Sequence, residues 1–235
     1  MTHYPNPDSL LDSAELAGAA DTQAQDVHIE RFQGLWNRCL REGAESNAEH
    51  AWREISQAYS EPHRKYHNTD HITHCLEEFD RAKPLADNVD ALEMSIWFHD
   101  VINIPDAEDN EEQSAKLFTS LAKGCMHPNF INAVCRLIMA TTHRNALQTN
   151  DEFIIADIDL SSIGLPWEDF LRDNSALRKE NRDTPSDDYR QSKLKFFLDL
   201  LARPRIYYTD FFHDRIEETA RENIERYIST VESEK

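Results

Sequence analysis

A chain of 235 residues, 40% apolar and 9% aromatic, can bury a core without disulfide or metal staples, and it suits one domain or at most two small ones. Its 44 acids against 25 Lys and Arg leave a net charge of −19, a field that repels nucleic acid duplexes and anionic membranes. The 5 glycines stand at least nine residues apart, which excludes a dinucleotide fingerprint and a P-loop, and no two of the 4 cysteines have C-x-x-C spacing.

Residues 1–26 are small, polar and proline-punctuated, which predicts a mobile or loosely packed tail; they contain no apolar signal-peptide core. Helical periodicity sets in from Val27. Phe32, Leu35, Trp36, Cys39 and Leu40 form one apolar stripe, and Trp52, Ile55, Ala58 and Tyr59 a second that Pro62 ends. A third helix, capped by Asp70, carries Ile72, Cys75, Leu76 and Phe79 inward and stops before Pro84. Residues 89–102 are apolar nearly all round, as a central buried helix would be. Asp109-Asn110-Glu111-Glu112 reads as a helix start, with its acids against the positive end of the dipole. Further helices are predicted over 128–142, 151–163, 167–182, 187–202 and 210–232. No stretch alternates long enough to be a strand, and no apolar run approaches the roughly 20 residues of a membrane helix. The expectation is one all-α domain of nine or ten helices over residues 27–235, in a soluble, cytoplasmic protein whose oligomeric state is left open, a homodimer among the options.

Of the 11 histidines, His99 stands out because Asp100 follows it at the end of the apolar run Ile96-Trp97-Phe98. A buried carboxylate needs a charged partner or a metal, and an adjacent imidazole and carboxylate are fitting ligands for a divalent ion. The alternative is a His–Asp hydrogen bond that plugs a helix end. In Ala156-Asp157-Ile158-Asp159-Leu160 two acids are embedded among apolar residues. Helical geometry puts Asp159 on the face of Ile155 and Ile163, away from Asp157, and favours Asp159 as the inward ligand; the alternative has Asp157 solvated and Asp159 accepting hydrogen bonds from a neighbouring helix. His143 follows an apolar helix and is a candidate ligand or substrate contact, or else a dipole-favoured C-terminal histidine. An anionic substrate needs local positive charge in so acidic a chain. Arg64, Lys65, Arg144, Arg203, Arg205 and Arg221 are the candidates, with Arg203-Pro204-Arg205-Ile206-Tyr207 a loop suited to a phosphate or base; surface ion pairing is the alternative for each arginine.

The ordered set His71, His99-Asp100 and Asp159 resembles the HD superfamily of metal-dependent phosphohydrolases, all-α proteins whose ligands run H, HD, D. Tyr66-His67-Asn68-x-x-His71 is similar to an element of the related cyclic-nucleotide phosphodiesterases, as are Phe98-His99-Asp100-Val101 with Asp109-Asn110 and Ile158-Asp159-Leu160-Ser161. A bacterial group of HD phosphohydrolases is similar over about two-thirds of the chain, from Tyr66 to Asn223, and includes the late element with Arg221 and Asn223. The aromatic and glutamine clamp that grips a nucleobase in the phosphodiesterases is not readable here.

The resemblance implies hydrolysis of a phosphomonoester or phosphodiester, a nucleotide first among them, by metal-bound hydroxide. It implies one or two divalent ions (Mn, Mg, Fe, Co, Ni or Zn) on His71, His99, Asp100 and Asp159, with His67 as the general acid. Glu111 or Glu112 would orient the water, unless they serve only the helix dipole. Arg64, Lys65, His143, Arg203, Arg205, Tyr207, Arg221 and Asn223 would contact the small anionic substrate. Two other functions fit the same residues: a di-iron oxygenase, as in the myo-inositol oxygenases, and a non-catalytic metal- or nucleotide-binding module.

Overall fold

The computed structural model describes residues 28–144 and 146–233; the expected tail over 1–26 lies outside them. The described residues form ten α-helices and no strand, as the periodicity predicts. In chain order they are α1 (28–38), α2 (Ala48–Tyr59), α3 (Thr69–Ala82), α4 (Val89–Phe98), α5 (Asn110–Ala122), α6 (Pro128–Ala140), α7 (Asn150–Leu160), α8 (Trp167–Glu180), α9 (Ser186–Leu201) and α10 (Asp210–Ser233). None of these helices is long and apolar enough to cross a membrane.

The core is built around α4, in which every residue from Ala91 to Phe98 is buried. A helix without a polar face needs cover on all sides, and α3, α5, α6 and α7 all pack against it. From α1 come Phe32 and Trp36, whose rings lie 5.7 Å from Trp97 and 6.2 Å from Phe98; Phe118 of α5 closes on Phe98 at 5.0 Å.

Helix ends depart from the sequence expectation where local polar groups take over. α3 is capped by Asn68, not Asp70: the Asn68 side chain accepts from the backbone N–H groups of Asp70 and His71. α4 stops at Phe98, so His99 and Asp100 sit in the turn that follows it. α7 ends at Leu160 and tightens into a 3-10 turn over Ser161–Gly164. That turn lies against α10, where the Asn223 amide donates to the carbonyls of Ile163 and Leu165, 2.8 Å each. Ten helices thus bring the start of α3, the end of α4 and the end of α7 to one place.

Candidate metal centre

His71 enters from the first turn of α3, His99 and Asp100 from the turn after α4, and Asp159 from the last turn of α7. One donor atom from each lies within 4.8 Å of all the others. The Nε2 atoms of His71 and His99 are 3.2 Å apart. Asp100 Oδ2 stands 3.0 Å from His99 Nε2 and 3.5 Å from His71 Nε2, and Asp159 Oδ1 stands 3.6 Å from His71 Nε2 and 3.5 Å from His99 Nε2. Ligand bonds of about 2.1 Å place neighbouring donors about 3.0–3.4 Å apart, so these spacings suit one ion.

The hydrogen bonding around the cluster has the same sense. The Nδ1 of His99 donates to the Ile96 carbonyl at 2.9 Å, which turns the Nε2 lone pair into the cluster. Two imidazole nitrogens and two carboxylate oxygens thus face one another, and a cation, or a proton on an imidazole, relieves that arrangement. Burial pushes the His99 pKa down, yet Asp100 and Asp159 raise it well above the ordinary imidazole value. Burial likewise opposes ionisation of Asp100, but His99 and His67 hold it down to about 2. The pocket favours positive charge at its centre. Cys75 is a further donor, its Sγ 3.6 Å from His71 Nε2, although burial pushes its thiol pKa well up and favours the neutral form.

His67 lies beside the cluster, with Nε2 3.9 Å from Asp100 Oδ2. Its Nδ1 donates to Glu180 Oε1 at 2.5 Å. Burial lowers its pKa, but Asp100 and Glu180 outweigh that and raise it. Glu180, the last residue of α8, is buried and also accepts from the backbone N–H groups of Lys65, Tyr66 and His67 and from the Asn103 amide at 2.6 Å. In sequence it sits in a polar run, and its contact with His67 spans 113 positions, so nothing local marks it.

The two aspartates of α7 have separate roles. Asp159 joins the cluster, while its Oδ2 accepts from His143 Nε2 at 2.8 Å. His143 reaches it from a backbone φ of 53°, the left-handed region that non-glycine residues rarely adopt. Asp157, solvated only in the alternative reading of this pair, is 1% exposed. It accepts from the N–H groups of Tyr208 and Thr209 at 2.7 and 2.8 Å and from the Thr209 hydroxyl at 2.7 Å, fixing the entry to α10.

Most of the expected substrate contacts are bonded elsewhere in the fold. Arg64 is buried, and its guanidinium donates to Glu61 and to the carbonyls of His67, Asp100 and Val101. It ties the His67 loop to the turn after α4 and spends four of its five N–H donors there. Arg221 donates to Glu217 and to the carbonyls of Leu201 and Arg203, and Asn223 holds the 3-10 turn after α7. Tyr207 is fully buried with its hydroxyl on the Leu160 carbonyl, and Arg205 pairs with Asp210 at 2.8 Å. Arg203 sits half-buried in the same α9–α10 loop, away from the cavities that border the cluster. Arg144 donates to the Glu108 carbonyl. Glu112 faces solvent and pairs with Lys116, and Glu111 occupies the first turn of α5; neither belongs to the cluster. Exposed Lys65 does border it, lining with His71 a cavity of about 410 Å³.

A second cavity, of about 210 Å³, is lined by His67, His143 and Asp159 together with Lys193, Asn174 and Phe196. Lys193 escaped sequence analysis, although its i+3 and i+4 spacing to Phe196 and Phe197 placed a lysine on an aromatic helix face. Compared with family models, curated proteins and solved structures, the chain has no match.

Proposed function

We propose that the chain is a metal-dependent phosphohydrolase of the HD type, holding a divalent ion on His71, His99, Asp100 and Asp159 and using His67 as general acid. The observation that carries this reading is the convergence of two imidazole nitrogens and two carboxylate oxygens on one point, beside a histidine whose pKa Asp100 and Glu180 raise against its burial. A divalent ion bound there lowers the pKa of a water toward about 7 and polarises a phosphoryl oxygen.

The protein's own groups do the rest. His67 delivers its Nε2 proton to the departing alkoxide. Glu180 is the positioning residue behind it: one carboxylate oxygen takes the Nδ1 proton, and the other is pinned by three backbone N–H groups, so the imidazole cannot swing away. His143 plays the matching part for Asp159, taking Oδ2 so that Oδ1 stays directed at the cluster. The oxygenase alternative calls for a second iron, whereas the two donor groups among the described residues share His71 and His99 and describe one ion position.

Elemental analysis of protein purified under metal-replete conditions tests the reading. About one divalent ion per chain is expected in the wild type, largely lost in Asp100→Ala together with turnover on a phosphoester panel. His67→Ala is expected to keep the ion and lose roughly 100-fold or more in turnover. A wild type that holds no ion, or holds one and hydrolyses nothing on the panel, overturns the proposal.

A further inference from the structure

The cavity of about 210 Å³ lies between α8, α9 and the end of α7, and it has three polar features that the fold leaves unanswered. The first is Lys193, the only Lys or Arg among the described residues that line it. Its Nζ sits 4.6 Å from the centre of the Phe197 ring and 5.9 Å from that of Phe196. No carboxylate among the described residues lies within ion-pairing distance of it; Asp173, which also lines the cavity, pairs with Arg172 at 3.3 Å. Burial alone pulls its ammonium down to about 8. In a chain with 44 acids, a half-buried lysine without an acidic partner is an unspent charge.

The other two features are acceptors. Asn174 donates its amide to the Phe170 carbonyl, but its Oδ1 is buried and has no partner among the described residues. His143 donates from Nε2 to Asp159, and its buried Nδ1 likewise has none. A buried polar atom without a partner costs free energy, and a cavity that gathers two of them with an unpaired cation beside a metal centre has the make-up of a ligand site. Phe170 and Leu177 supply apolar wall.

We propose that this cavity is the substrate subsite, in which Lys193 holds an anionic oxygen of a phosphomonoester while Asn174 Oδ1 and His143 Nδ1 accept from hydroxyl groups of its organic part. The substrate class is therefore a hydroxylated phosphomonoester, a polyol or sugar phosphate in the broad sense. The assignment rests on the hydrolase reading for its scissile bond, but the anion contact stands apart from catalysis.

The test uses inorganic phosphate as the binding probe, on metal-loaded and metal-free full-length protein alike, with glycerol phosphate and phenyl phosphate as turnover probes. Lys193→Met is expected to weaken phosphate binding and raise KM for both esters about tenfold or more, with kcat little changed and metal content unaltered; Lys193→Arg restores most of the loss. Asn174→Leu is expected to raise KM for glycerol phosphate several-fold and leave that for phenyl phosphate unchanged. Equal phosphate affinity in wild type and Lys193→Met overturns the role of Lys193, and equal KM changes for the two esters in Asn174→Leu overturn the hydroxyl contact. A wild type that takes up no metal under replete conditions, but whose phosphate binding still depends on Lys193, keeps the anion site and sinks the hydrolase. A metal-loaded wild type that neither binds phosphate nor hydrolyses either ester overturns both.

Discussion

Asp157 and Asp159 stand two residues apart on one helix, are both carboxylates set among isoleucines, and do unrelated work. Asp159 faces two imidazoles that need a counter-charge, and Asp157 faces two backbone N–H groups and a hydroxyl that need an acceptor. Removing each should separate metal binding from stability. Asp157→Ala leaves the N–H groups of Tyr208 and Thr209 without their partner in a buried place, a loss of about 2–3 kcal/mol. The expected result is a lowered thermal midpoint with the metal content kept. Asp159→Ala is expected to lose the ion instead, since no other carboxylate of α7 is turned toward the cluster. Thermal melts beside elemental analysis read both, and a metal-free Asp157→Ala protein that is still folded would contradict the assignment.

At the scale of elements, what matters is how α7 is held, because it sets where Asp159 points. The 3-10 turn that ends α7 is gripped by α10 through Asn223 and by the loop before α10 through Tyr207, the residues first expected to touch substrate. Arg64 does the same between the His67 loop and the turn after α4, answering the carbonyls of Asp100 and Val101 there. The closeness of the contact between this turn and α10 shows at Gly164, where an added Cβ would come 2.6 Å from the Cβ of Ile216. That atom is fixed to the α10 backbone and has no room to yield. Gly164→Ala is therefore expected to cost about 1–3 kcal/mol by overpacking, a fall of several degrees in thermal midpoint. Because the strain falls beside Asp159, metal affinity should weaken with it. Unchanged melting and unchanged affinity would show that the turn and α10 separate freely.

For the whole molecule, the cluster acts as a knot between three helices, α3, α4 and α7, which meet nowhere near one another in sequence. An ion that binds only the folded chain stabilises it by mass action, by about 4 kcal/mol at a free concentration 1,000 times the dissociation constant. Chelator is expected to lower the thermal midpoint of the wild type by roughly 10 °C and to leave Asp100→Ala unmoved. Equal shifts in the two proteins would place the stabilising ion elsewhere. The net charge of −19 adds to this, since a buried cation relieves part of the self-repulsion of an acidic chain.

Much of this was readable in the amino-acid order. Periodicity of 3.6 marked the helices because apolar residues must share a face to be buried, and the chemistry of His71, His99, Asp100 and Asp159 marked them as a donor set before any fold was known. Periodicity, however, gives a direction only about a helix's own axis. Which group waits at the end of that direction depends on how helices cross, and this the tertiary structure alone decided. It turned Arg64, Tyr207, Arg221 and Asn223 from candidate substrate contacts into braces, because unsatisfied carbonyls lie within their reach. It set Glu180 behind His67 across 113 positions, and it left Lys193 in a cavity with no carboxylate of the described residues within ion-pairing distance. Residue type sets which bonds a side chain can form, and only the packing of distant segments sets which ones are left for it to make.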